Sequence, residues 1–200
     1  MQMGPVQRAH IEAAIRDKYR KVATGRAGQF KYPTGTAGLA GLGYEQSWLA
    51  SLPGPVLECF CGVGNPFSLD LPRQGARVLD IGCGCGVDTL IAAFLAGPDG
   101  LAVGVEAIQE MLATARENAR AARAENTGFV EGSAESLPFR DGAFDLLISS
   151  GVFNLVIEKE LALSEAFRVL KPGGRIQVAD QALTGPPPTS VGEAVASWFT

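Results

Sequence analysis

Asp80 has the clearest chemical setting of any side chain in this sequence. It lies inside the apolar run Val78, Leu79, Ile81 and just ahead of Gly82, Gly84 and Gly86, in the stretch RVLDIGCGCG at 77–86. Glycines let the chain turn tightly with no Cβ in the way, so a ligand can come close to this backbone. The residues behind the turn, 87–96, read as a helix whose first N–H groups point into it. A carboxylate at that place suits a cationic or hydroxyl-bearing ligand. A second acid, Glu106, closes the apolar run LAVGVE, where a carboxylate can hold both hydroxyls of a ribose. The turn runs G-x-G-x-G with its acid inside the motif, unlike the dinucleotide fingerprint G-x-G-x-x-G.

The other reactive side chains carry less weight. The cysteines form two Cys-x-Cys pairs, Cys59/Cys61 and Cys83/Cys85, a spacing open to zinc or to disulfides. Cys83 and Cys85 alternate with the glycines of the ligand turn, where small side chains are needed and a metal would compete with the ligand. The expectation is therefore small buried thiols and no metal. The lone His10 sits on a helix edge and is read as solvated, with no role.

The net charge of −4 disfavours a broad nucleic-acid or anionic-membrane surface, since both need a clustered positive field. A small-molecule substrate is expected, with no nucleic acid and no membrane as partner. No apolar run approaches the length of a membrane span and no secretory signal opens the chain, so the expected compartment is the cytoplasm. Two hundred residues, 46% of them hydrophobic, suffice for one domain with its own core.

The elements that must position Asp80 and Glu106 alternate regularly. Residues 6–22 read as an amphipathic capping helix with Ile11, Ile15, Tyr19 and Val22 on one face. Residues 24–43 read as a glycine-rich loop whose Lys31, Tyr32 and Thr34 can face a substrate. A short helix is expected at 44–52. An apolar segment at 56–67, if extended, turns Cys59, Cys61 and Val63 to one face. Strands follow at 77–81, 101–106, 128–131, 144–150 and 175–180, with helices at 87–96, 109–123 and 158–170, the last stopped by KPGG. This predicts an α/β fold: a Rossmann-like, doubly wound parallel sheet of order 3-2-1-4-5 with an N-terminal helical cap, its ligand across the ends of strands one and four. The expected divisions are a helix and lid segment at 1–66, a core at 67–184 and an incomplete tail at 185–200. The last strand is expected to be an exposed edge through which a homodimer can form.

Taken together, the glycine turn, Glu106 and the loop GSAESLPF at 132–139 resemble the class I S-adenosylmethionine (SAM)-dependent methyltransferases. The resemblance implies SAM as cofactor, with Asp80 and Gly82 at its methionine end and Gly84 and Gly86 shaping the turn. It further implies Glu106 on the ribose, Ser133 and Ala134 beside the adenine, and Ser149 at the end of strand four. Expected on the acceptor side are Tyr32, Tyr44, Asn65, Phe153 and Asn154; no catalytic residue is assigned.

Within that class the chain looks most like the arsenite methyltransferase branch, through VGNP at 63–66, SGVFNL at 150–155 and EAFRVLKPGGR at 165–175. It departs where that branch places arsenic-binding thiolates, having Val63 and Gly151 instead. As(III) is thiophilic and needs sulfur ligands, so the departure points to a small organic acceptor. Two alternatives stay open: a metalloid site shifted to Cys59 and Cys61, and a SAM-binding module without catalysis. A nucleotide-dependent oxidoreductase is disfavoured by the glycine spacing, and nucleic-acid methylation by the missing Asn/Asp-Pro-Pro-Tyr/Phe motif and basic stripe.

Overall fold

The computed structural model describes residues 4–25, 28–182 and 185. Apart from Gly185, the expected tail at 185–200 lies outside the described residues. In chain order the elements are α1 (Pro5–Thr24), α2 (Gly35–Gly41), α3 (Gln46–Leu49), α4 (Gly54–Leu57), β1 (Arg77–Ile81), α5 (Val87–Ala96), β2 (Leu101–Glu106), α6 (Gln109–Ala122), β3 (Thr127–Glu131), β4 (Phe144–Ser150), α7 (Lys159–Val169) and β5 (Leu170–Ala179). The five strands form one sheet of order β3-β2-β1-β4-β5, and each neighbouring pair is parallel.

Near-continuous apolar strands such as Arg77–Ile81 and Phe144–Ser150 belong in the middle of a parallel sheet, because both of their faces are covered. Alternation divides their side chains between two cores. Val78, Leu146 and Ile148 pack with Leu90 and Ile91 of α5, while Leu79, Ile81 and Leu147 pack with Ala166 and Val169 at the α7 side. Asp80 alternates onto the α5 face, and this brings it to Thr89. α5 is buried nearly all round, which fits its almost unbroken apolar sequence.

The N-terminal region differs most from expectation. The segment at 24–43 is not all loop: its glycine-rich part is α2, a poor helix former held by tertiary contacts. Leu39 is fully buried in the α5-side core, and the Gly35 amide donates to the Phe60 carbonyl at 2.8 Å. The segment at 56–67 is not extended either. Its first two residues end α4, and the remainder is irregular backbone pinned by side chains from elsewhere. The helix expected at 44–52 is the single turn α3.

At the other end, α7 passes directly into β5, whose first residue Leu170 pairs with Phe144. The register then shifts so that Leu146 faces Arg175, and the KPGG residues 171–174 form the intervening bulge. The strand therefore begins earlier than expected at 175. β5 is outermost among the described strands, with Ile176 and Val178 each 41% exposed. No described helix is long and apolar enough to cross a membrane.

Candidate functional site

A cavity of about 620 Å³ opens at the C-terminal ends of β1 and β2, a size typical of small-molecule sites. Its floor is the glycine turn and the end of β2. One wall is the β3–β4 connection at 132–136, and another is residues 59–63 with the loop after β4; α1 and residues 30–32 roof it. Of the residues expected at the cofactor, Asp80, Gly82, Gly84, Glu106, Ser133 and Ala134 line this cavity, as do Tyr32 and Asn154 from the acceptor group.

The turn needs its glycines for the backbone itself. Gly82, Gly84 and Gly86 have φ of 69°, 53° and 83°, in the left-handed region. A Cβ on Gly82 would also overlap Val152, and one on Gly86 would come within 2.8 Å of the Phe129 ring. Gly86 is the N-cap of α5 and does not line the cavity: it shapes the turn from behind.

Glu106 is held in a fixed pose. One carboxylate oxygen accepts the Gly84 N–H at 2.9 Å and the other the Ile108 N–H at 2.9 Å. Burial raises its pKa, opposed by these amide bonds. Each oxygen retains a second lone pair, so the carboxylate fits a diol. Asp80 accepts the Thr89 hydroxyl at 2.6 Å, and burial, then Asp88, holds its pKa well above the usual carboxylate range. Asp88 accepts the Tyr44 hydroxyl at 2.7 Å and is pushed up to about 7 by burial, with Tyr44 opposing. The stretches 80–88 and 105–108 thus contribute three carboxylates and no basic residue. That donor set fits a ligand with a cationic end and a ribose, as SAM has.

Five expected site residues are elsewhere. Tyr44 is buried in the α5-side core, its hydroxyl on Asp88 and 3.1 Å from the Gly64 carbonyl. Asn65 ties a turn, donating to the Gly43 carbonyl at 3.2 Å and accepting the Phe67 amide at 2.9 Å. Phe153 packs against the α7-side core. Ser149 is fully buried and donates to the Ile81 carbonyl at 3.0 Å, stitching β4 to β1. With Gly86, they support the cavity without lining it. Asn154 does line it, its backbone N–H donating to an Asp180 carboxylate oxygen at 3.1 Å. Its Oδ1 is buried with no partner among the described residues. The Lys159 ammonium fixes this loop by donating to the carbonyls of Phe153, Asn154 and Val156 at 2.8, 3.2 and 2.7 Å.

The sequence reading missed most of the roof. Ile15, Lys18, Tyr19 and Phe30 also line the cavity. Tyr19 was assigned only to the packing stripe of α1, yet burial raises its pKa, with Cys61, Tyr32 and Glu106 adding to the rise. The stripe alone does not say whether it meets core or cavity. α1 is clamped at one end by Arg8, which pairs with Glu135 and reaches Glu158 at 3.3 Å, and at the other by Arg20 on Glu110 at 3.0 Å. All four cysteines are among the lining residues, the Cys83 sulfur packed toward Gly104 and the Cys85 sulfur 3.7 Å from that of Met111, but no cluster of three or more His, Cys, Asp or Glu among the described residues is arranged to hold a metal. Val63 and Gly151 are neighbours: a Cβ on Gly151 would stand 3.3 Å from the Val63 methyls.

Comparison with known proteins agrees with this geometry. The family model described as a methyltransferase domain matches residues 72–199. An arsenite methyltransferase of Halobacterium salinarum is 35% identical over 191 residues, covering 88% of this chain and 49% of that protein. The ubiquinone/menaquinone biosynthesis C-methyltransferase UbiE of Pasteurella multocida is 39% identical over 121 residues, covering 59% of this chain and 45% of its own length. Among solved structures, CrArsM, an arsenic(III) S-adenosylmethionine methyltransferase from Chlamydomonas reinhardtii, superposes with a TM-score of 0.63 and 39% identity, over 68% of this chain and 48% of that one. The chain thus spans about half the length of the curated relatives it matches. Since the family match takes in every strand of the sheet and the whole acidic floor, the chain belongs to the class I SAM-dependent methyltransferases, and S-adenosylmethionine is the cofactor its family uses.

Proposed function

We propose that this domain transfers a methyl group from SAM to a small organic acceptor bound beneath α1. The observation that carries the reading is the fixed Glu106 carboxylate beside the buried pair Asp80 and Asp88, at the floor of a cavity large enough for more than one small ligand. In this reading Glu106 takes the ribose hydroxyls, Asp80 and Gly82 the methionine end, and Ser133 and Ala134 the adenine; Gly84 offers backbone at the turn. Bound SAM supplies an electrophilic methyl on a sulfonium, whose C–S bond breaks as the acceptor's lone pair bonds to the carbon. The protein's contribution is then positioning and exclusion of water, which the roof helix and the Lys159-fixed loop provide. Residues 1–66 act as lid and 67–184 as cofactor core.

A metalloid acceptor is the second reading, favoured by the likeness to arsenite methyltransferases and by Cys59 and Cys61 on the cavity wall. Against it stand Val63 and Gly151, which put a branched alkyl group and bare backbone in the same corner.

Calorimetric titration with SAM and S-adenosylhomocysteine tests the proposal. Wild type is expected to bind both, and Glu106→Ala to weaken binding by about 1.5–3 kcal/mol, as for lost hydrogen bonds to a charged group. Undiminished binding by a folded Glu106→Ala chain would remove Glu106 from the site. Absence of binding to wild type would remove the methyltransferase reading.

A further inference from the structure

The lining of the cavity is electrically divided. Its floor carries Asp80, Asp88 and Glu106, whereas α1 and the segment after it bring Arg8, Arg16, Lys18 and Lys31 against a single acid, Glu12, to the same space, with Glu135 on the wall, in a chain whose net charge is −4. Arg8 is committed to Glu12, Glu135 and Glu158. Lys18 is part-buried, with its ammonium 5.1 Å from the centre of the Phe30 ring. That ring is 5.1 Å from Tyr32, tilted by 42°. The Tyr32 hydroxyl is fixed by the Cys61 carbonyl at 3.0 Å, and Tyr19 lines the same chamber. Burial lowers the Lys18 pKa while Cys61 opposes the change. A part-desolvated ammonium gains more from an added anion than a solvated one does. Rings supply flat apolar contact at little conformational cost.

Resting on the methyltransferase reading above, we infer that the acceptor is a planar aromatic compound bound as an oxyanion, its ring against Phe30, Tyr32 and Tyr19 and its negative oxygen on the Lys18 ammonium. The division of charge then has a use. The acidic floor favours the cationic cofactor, the basic roof favours the anionic acceptor, and neither ligand is drawn to the other's place. Lys18 is the residue that selects the acceptor.

The test is calorimetric titration of the full chain, with and without saturating S-adenosylhomocysteine, using 4-nitrophenolate, the neutral nitrobenzene that lacks its oxygen, and As(III). Wild type is expected to prefer 4-nitrophenolate to nitrobenzene by about tenfold or more, as for a charge-assisted hydrogen bond. Lys18→Met should abolish that preference while leaving nitrobenzene and S-adenosylhomocysteine affinities unchanged, and Lys18→Arg should keep most of it. Equal binding of the two aromatics, a preference that survives Lys18→Met, or As(III) that binds and displaces the phenolate would each overturn the inference. Should Lys18→Met fail to fold, Phe30→Ala decides: both aromatics must weaken together, and unchanged affinities sink the aromatic chamber. The titrations without S-adenosylhomocysteine judge the acceptor class by themselves, so a failure of cofactor binding counts against the methyltransferase reading alone.

Discussion

The floor of the cavity is laid down by residues 80–88 and 105–108, which leave two adjacent strands of the sheet and are tied by buried and part-buried bonds of 2.6 to 2.9 Å among neighbours in the fold. Its roof is α1, brought in from the far end of the chain, packed through the fully buried Val22 with Ile108 and Met111 and tied at its rim by ion pairs in which Arg8 is 37%, Arg20 56% and Glu110 43% exposed, with Glu135 at 14%. Buried, hydrogen-bonded carboxylates resist displacement because unpairing them costs their desolvation again, whereas exposed pairs contribute about 0–1 kcal/mol each. The floor is thus held by hydrogen-bonded carboxylates, and the roof by apolar packing with more exposed ion pairs at its rim.

The sharpest way to break this contrast is at the turn. Gly82→Ala introduces a Cβ into Val152 at a backbone with φ of 69°, and is expected to destabilise the chain by about 2–3 kcal/mol or more and to abolish SAM binding. A denaturant melt close to wild type would show that the floor yields as easily as the roof.

The next effect is on pH dependence. Burial raises Asp80 well above the carboxylate range and Asp88 to about 7, so the folded chain holds these protons more tightly than the unfolded one. Their contribution to stability is full below the unfolded carboxylate pKa of about 4 and falls as pH rises, that of Asp88 being gone above about 7. Asp88→Asn mimics the protonated form. Its stability relative to wild type should therefore climb between about pH 4 and pH 7 and level off above. A difference independent of pH, by thermal melts across that range, would mean that Asp88 is ionised throughout. The smallest effect belongs to the roof. Arg8→Ala should cost about 1 kcal/mol or less and lose that cost in high salt. A larger, salt-insensitive loss would make α1 as firmly held as the floor.

The same contrast governs what could be read in advance. The bounds of β1, α5, β2 and β4 were legible because hydrophobic period, glycine turn and chain direction agree locally. Asp80, Glu106, Ser133 and Ala134 were found as cavity residues because each follows from its place at a strand end or in the connecting loop. Tyr44, Asn65, Phe153 and Ser149 were assigned to the site on type and neighbourhood, and here type misleads: a polar tip near a ligand and one stapling a buried carbonyl look alike in sequence. α2 escaped because its glycines argue against a helix, and it is stabilised by contacts from elsewhere in the chain, among them Leu39 in the core, the Gly35 amide on the Phe60 carbonyl and the Thr36 hydroxyl on Glu58. KPGG stopped α7 as expected, yet the pairing of Leu170 with Phe144 extended β5 back across it.

What the sequence determined by itself is the order of the five strands and of the helices between them, the sheet they must form, and the acidic glycine turn at its switch point. These follow from periodicity, from right-handed crossovers and from φ values that only glycine adopts readily. What only the tertiary structure decided is which side chains look into the cavity and which hold it up. That choice rests on contacts between residues far apart in the chain, such as Tyr44 with Asp88, Arg8 with Glu135 and Lys18 with Phe30, and no local pattern records which of two buried faces a side chain will meet.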